Sequence, residues 1–261
     1  MNEGDILKIK DIYNYSYNYL INISKDYVSK EKIDLFINNS DLKIINSLVE
    51  VFELLLVILQ DFQMYPKVIN YSKREKDIKD FIHFPDIKYC ASLDPIKMSE
   101  YFISKYNSNS KRCWLQYSKG IISGAKYLSQ FNNFNEFKII SDSFDSNDMT
   151  REAYALFLSS KINNMGFAVA CNWLKELGYK NYPKPDVHMK DICHALKLID
   201  DNKNDIDCFE AMIHVSKECN IEPYKLDKVW WLICSGNYYR YNIQLPAPQQ
   251  NKCDFISSLN E

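Results

Sequence analysis

Glycine is scarce in this chain, with six in 261 residues, at positions 4, 120, 124, 166, 178 and 236, and no proline falls between Pro95 and Pro183. Little therefore interrupts a helix over that stretch. The eight cysteines form no CxxC pair and no repeated spacing, which argues against a zinc site or a disulfide framework and predicts free thiols, many of them buried. Long apolar runs are missing too. The most apolar segment, 48–59, contains Glu50 and Glu53 and is unbroken only over 54–59, too short to span a bilayer. No basic stretch followed by an apolar run and a small-residue cleavage site opens the sequence, so the expectation is a cytoplasmic protein without a membrane partner. Nor is there an overall basic excess, since the formal charge is −2 and the pI about 6.1. Any nucleic-acid surface must be local.

What is present suits a folded chain. Hydrophobic residues make up 46% and charged residues 25%, too apolar a balance for disorder. Apolar residues recur at helical spacing through Ile44, Leu48, Val51, Phe52 and Leu55, and again through Phe209, Met212, Ile213 and Val215, while strict period-2 alternation is not evident. The prediction is an all-α fold with helices near 5–22, 42–62, 96–106, 113–130, 149–162, 167–177, 187–199, 205–219 and 225–236. Two helical lobes with a cleft between them are expected: 1–95 with 190–261, and 96–189. Segment 64–95, with Pro66, Pro85 and Pro95, reads as a connection carrying one short helix, and the tail from Leu245, with Pro246 and Pro248, as frayed or extended.

The informative region is 149–189. A predicted helix ends at Ile162-Asn163-Asn164-Met165-Gly166, and a second begins at once with Phe167-Ala168-Val169-Ala170, which makes a helix-hairpin-helix with its reversal at 163–167. Asn164 and Gly166 tolerate positive φ and can form the turn, with Met165 directed to the core. The first amides of the second helix are then open to a DNA phosphate. Downstream, two prolines stiffen the approach to Asp186-Val187-His188-Met189, where Asp186 falls at a helix N-cap. A fixed carboxylate at the positive end of a helix is what glycosidic-bond cleavage needs opposite a developing sugar cation.

These two features together resemble the helix-hairpin-helix, Gly/Pro-rich, Asp family of DNA glycosylases. In that family a hairpin of the type Leu-Pro-Gly-Val-Gly precedes a catalytic aspartate in a Val-Asp-x-His setting, and Asp186-Val187-His188-Met189 looks most like the 8-oxoguanine glycosylase branch. The resemblance covers roughly 149–199. It implies that Asp186 is catalytic, that Asn164, Gly166 and Ala168 lie at the DNA, and that the partner is double-stranded DNA with a flipped base, bound by a monomer. Bifunctional members carry a nucleophilic lysine two residues after the hairpin's second glycine, where this chain has Ala168. Alanine cannot form a Schiff base, so a monofunctional enzyme using water is implied. The cysteine ladder of the iron–sulfur members has no counterpart among Cys208, Cys219, Cys234 and Cys253, and no cofactor is expected beyond a monovalent cation at the hairpin.

Further candidates lie outside that region. Residues 101–135 carry Lys105, Lys111, Arg112, Lys119 and Lys126 and no acid, and Trp114 and Tyr117 sit among these cations. Lys111, Arg112, Trp114 and Lys119 are accordingly candidate DNA contacts. Asp227 and Trp231, at i and i+4 of a late helix, together with His188, are candidate base-pocket residues. No metal site is visible. The alternatives are a non-catalytic helix-hairpin-helix DNA-binding protein and a helical interaction protein. The excised base, and the choice between repair and defence against modified phage DNA, stay open.

Overall fold

The structure, a computed structural model, describes residues 8–38, 44–61, 65–201 and 204–259. Its α-helices over these residues are, in chain order, α1 (Ile12–Ser24), α2 (Lys30–Asn38), α3 (Leu48–Ile58), α4 (Tyr65–Ile69), α5 (Tyr71–Phe81), α6 (Ile87–Ser92), α7 (Pro95–Lys105), α8 (Lys111–Leu128), α9 (Phe134–Phe144), α10 (Asp148–Lys161), α11 (Phe167–Glu176), α12 (Val187–Ala195), α13 (Asp205–Glu218), α14 (Pro223–Ser235) and α15 (Pro248–Ser258). Two-residue strands β1 (Asn237–Tyr238) and β2 (Ile243–Gln244) pair antiparallel, with Tyr238 opposite Ile243. Among the described residues the fold is all-α apart from this ribbon. No helix among the described residues is long and apolar enough to cross a membrane.

Polar side chains set many helix starts. Ser47 accepts the Glu50 N–H, Asp86 that of Tyr89 and Asn133 that of Glu136. At α10 a capping box closes both ways, Asn147 accepting from the Thr150 amide and the Thr150 hydroxyl accepting from that of Asn147. The helix expected over 42–62 thus begins only after Ser47; its positions 42, 43 and 62, like positions 5–7 of the first expected helix, lie outside the described residues.

Segment 64–95 is not a connection with one short helix. It holds α4, α5 and α6, and its prolines sit where helices tolerate them: Pro66 in the first turn of α4, Pro85 between α5 and α6, Pro95 at the first position of α7. The tail is not frayed either. Pro248 opens α15, and Phe255 is fully buried with its ring centroid 5.1 Å from that of Tyr19. Helices α2 and α9 were missed as well.

The chain divides into two compact units, Met1–Lys43 with Lys180–Glu261, and Ile44–Tyr179. The expected boundaries at 95 and 189 therefore move. Residues 44–95 join the middle segment because α3, α4 and α6 pack on α8. Residues 180–189, Asp186 included, join the terminal segments. There the Tyr224 N–H donates to the Lys180 carbonyl (2.9 Å) and the Lys184 N–H to Asp227 Oδ2 (3.0 Å). The core of this terminal unit gathers Leu20, Phe36, Ile192, Met212 and Trp230, and the Trp230 indole N–H donates to Ser16 Oγ at 3.0 Å. The middle unit is built around α8, whose Trp114, Tyr117 and Ile121 are fully buried.

Candidate functional site

The hairpin belongs to the middle unit, and α8 supports it from behind. A Cβ on Gly120 would sit 2.8 Å from the Asn163 carbonyl oxygen, and one on Gly124 would sit 2.3 Å from a Leu55 methyl. Gly120 therefore lets the hairpin backbone approach α8 more closely than a residue with a Cβ allows, and at Gly124 a Cβ would force the Leu55 side chain of α3 to shift. Ser123, on the same helix, accepts the Asn163 N–H at 2.8 Å. The turn closes with the Met165 N–H donating to the Ile162 carbonyl (3.2 Å), and Ile162 and Met165 fill the core beneath it.

Within the turn only Asn164 is left-handed, with φ 63°, and its side-chain amide donates to the Leu59 carbonyl at 3.2 Å. Gly166 differs from expectation. Its φ of −70° and ψ of 169° are ordinary extended values, and a Cβ there would meet nothing within 4 Å. The glycine is not needed for the turn; its position is simply open. It is the N-cap of α11 and supplies no side chain to the helix end. The first bond to its carbonyl comes from the Ala170 N–H (2.9 Å), so the first turn of α11, with half-exposed Ala168, can receive an outside anion.

The expected cationic contacts separate on α8. Lys111 and Arg112 are exposed and Lys119 half-exposed, but Trp114 is fully buried, stacked 5.0 Å from Phe102 and 5.6 Å from Tyr106. It is a core residue and cannot stack on a base. Helical periodicity turns position 114 inward between its charged neighbours.

Asp186 belongs to the terminal unit. Buried Tyr182, Pro183 and Pro185 fix the approaching chain, and the Asp186 N–H donates to the Lys184 carbonyl at 2.8 Å. Asp186 caps α12 through one oxygen, Oδ1, which accepts the amide N–H of His188 (2.9 Å) and of Met189 (3.3 Å). The other oxygen, Oδ2, carries no hydrogen bond among the described residues, and the residue is half-exposed. The result is a carboxylate held rigid by one oxygen and open to chemistry at the other.

Asp227 is only 2% exposed, and its Oδ2 accepts the Lys184 N–H. This gives it the task of holding the loop before Asp186, where the sequence suggested a group that reads a base edge. Trp231 is half-buried, edge-on to Tyr239 with centroids 5.9 Å apart. The sequence did not single out the cluster beside it: the Lys228 ammonium lies 5.3–5.8 Å from the Tyr224, Tyr239 and Phe36 rings, and the Arg240 guanidinium 4.9 Å from Phe36. Phe36, more than 180 residues earlier in the chain, gave no signal.

His188 reaches Asp186 through its backbone N–H, while its ring Nδ1 is buried without a partner among the described residues. Burial lowers the imidazole pKa below 6.5, opposed in part by the Asp186 charge. The ring is neutral at pH 7. Because the unfolded chain then binds the proton more readily, the native state loses stability as pH falls through about 6.5 towards the lower folded value, and this histidine costs nothing above that window. Denaturant midpoints taken at pH 7.5, 6 and 5 are expected to decline, and His188→Gln to flatten the decline. An identical slope in the variant would remove His188 as the cause.

No family model matches the chain, and no curated protein matches its sequence. Among solved structures it is similar to that of the Methanocaldococcus jannaschii 8-oxoguanine glycosylase/lyase in complex with a 15mer DNA containing 8-oxoguanine. Identity is 16%, the TM-score is 0.49, and the match covers 83% of this chain and 95% of that one.

Proposed function

We propose that the protein is a monofunctional DNA glycosylase that flips a modified base out of DNA and hydrolyses its N-glycosidic bond. The observation that carries this reading is Asp186, with Oδ1 clamped by two helix amides and Oδ2 unbonded on a proline-stiffened loop. As the bond to the base lengthens, positive charge grows on the sugar. A carboxylate fixed in advance stabilises that charge without having to reorganise, which is the usual largest electrostatic contribution to such a step. Oδ2 can also orient the attacking water. The base leaves with the bonding electrons and takes up a proton, the sugar takes the hydroxyl of the water, whose other proton passes to Oδ2 or to solvent, and an abasic site remains.

The open first turn of α11 would hold a backbone phosphate through its amides, which positions DNA without reading sequence. Gly166→Val tests this. Valine fits the extended backbone there but is a poorer N-cap than glycine, so stability should fall by about 1 kcal/mol, whereas methyls at the helix entrance should weaken duplex binding roughly tenfold, the worth of about one charge-assisted hydrogen bond. Equal affinity for the variant in a fluorescence-anisotropy titration would take the hairpin out of the DNA interface. The function as a whole is tested by incubating the protein with duplexes that each carry one modified base, oxidised purine, alkylated purine or bulky modified pyrimidine, and looking for released base. Release from one class supports the proposal and names the substrate; DNA binding without release from any would leave a binding protein.

A further inference from the structure

Beside the hairpin, wholly within the middle unit, lies a cavity of about 320 Å³ lined by Pro95, Ile122, Ser123, Tyr127, Gln130 and Asn163 and by three lysines, Lys119, Lys126 and Lys161. Lys119 and Lys126 come from the α8 stretch that has no acid between residues 101 and 135, and Lys161 is the last residue of α10. None of the lining residues is an Asp or Glu, and none of the three lysines is in an ion pair among the described residues. The Lys161 ammonium instead lies 5.4 Å from the Phe157 ring. In a chain with more acidic than basic residues, three lysines around one cavity without a countercharge form a local positive field that an anion would relieve. The cavity is continuous with the hairpin through Asn163, whose N–H is bonded to Ser123 in the same lining.

We propose that this cavity is a second anion subsite, which takes a backbone phosphate of the nucleic acid next to the one held at the start of α11. The proposal rests on the DNA-binding reading given above. Phosphate is the shared chemistry, and its source could be a nucleic-acid backbone or a free phosphate. Contact with the hairpin favours the backbone.

The test is the salt dependence of binding to a short fluorescent duplex of unmodified DNA, compared among wild type, the triple variant Lys119→Gln/Lys126→Gln/Lys161→Gln, the matching triple arginine variant, and a control triple Lys73→Gln/Lys76→Gln/Lys88→Gln drawn from exposed lysines outside the cavity. Each phosphate neutralised contributes about 0.9 to the slope of log K against log salt. The cavity triple should lose about one such step, the arginine triple should keep the wild-type slope, and the control should keep it too. Circular dichroism and thermal melting check the fold, and if the triple glutamine variant unfolds, each single variant should still show a measurable fall in slope. An unchanged slope in a folded cavity variant, or an equal fall in the control, overturns the proposal. Calorimetry with inorganic phosphate separates the sources: wild-type binding that the triple variant loses, with the duplex slope untouched, assigns the cavity to a free anion and also overturns it. Failure of the wild type to bind any duplex sinks the DNA-binding reading itself, and the subsite with it. Normal wild-type binding with an unmoved slope sinks the subsite alone.

Discussion

Asp186→Asn is expected to lower base release by at least two to three orders of magnitude, the usual cost of removing one preorganised electrostatic stabiliser, and to leave duplex affinity within a small factor. The physical reason lies in the division of labour between the two oxygens. Asparagine can keep a carbonyl oxygen where Oδ1 accepts the His188 and Met189 amides, and it is as good an N-cap as aspartate, so α12 and the loop should stay in place. What disappears is the negative charge on the unbonded side. Asp186→Ala is a useful partner, because it removes cap and charge together and should cost about 1 kcal/mol of stability that the asparagine variant keeps. Single-turnover base release and denaturant unfolding on the two variants separate the roles. Unchanged turnover in the asparagine variant would reduce Asp186 to a helix cap.

The second large effect concerns what the reaction leaves behind. With Ala168 in the first turn of α11, no amine stands at the position where a lyase would carry one. The product should be an intact abasic site that breaks only after hot alkali or an abasic endonuclease, and borohydride should trap no covalent protein–DNA adduct above background. Two lysines are alternatives for an amine nucleophile: Lys161, which lines the cavity beside the hairpin, and Lys184, two residues before Asp186 in the loop whose backbone is bonded to Asp227. Strong borohydride trapping that Lys161→Ala or Lys184→Ala abolishes would show that a lysine has taken over the nucleophile's part and that water has not.

These expectations depend unequally on sequence and on fold. By itself the sequence determined the all-α class, because scarce glycine, the proline-free stretch from 96 to 182 and apolar residues at helical spacing leave the backbone little alternative. It also determined the hairpin and the Asp186 cap, since turns and N-caps are local and depend on residues only a few positions apart. Proline was the misleading local signal. Pro66 and Pro248 suggest a connection and a frayed tail, yet each stands in the first turn of a helix, as Pro95 does, because the same missing N–H that disrupts a helix interior costs nothing in the first turn.

Tertiary structure alone decided the rest. Which side of α8 is buried turned Trp114 from a stacking surface into core and left Lys119 and Lys126 at a cavity with Lys161, which is 35 residues beyond Lys126 in sequence. The hairpin's seat on Gly120 and Ser123, and the Asp227 hold on the loop before Asp186, join positions about 40 residues apart. Burial and long-range hydrogen bonds are properties of packed neighbours, and no single stretch of sequence carries them.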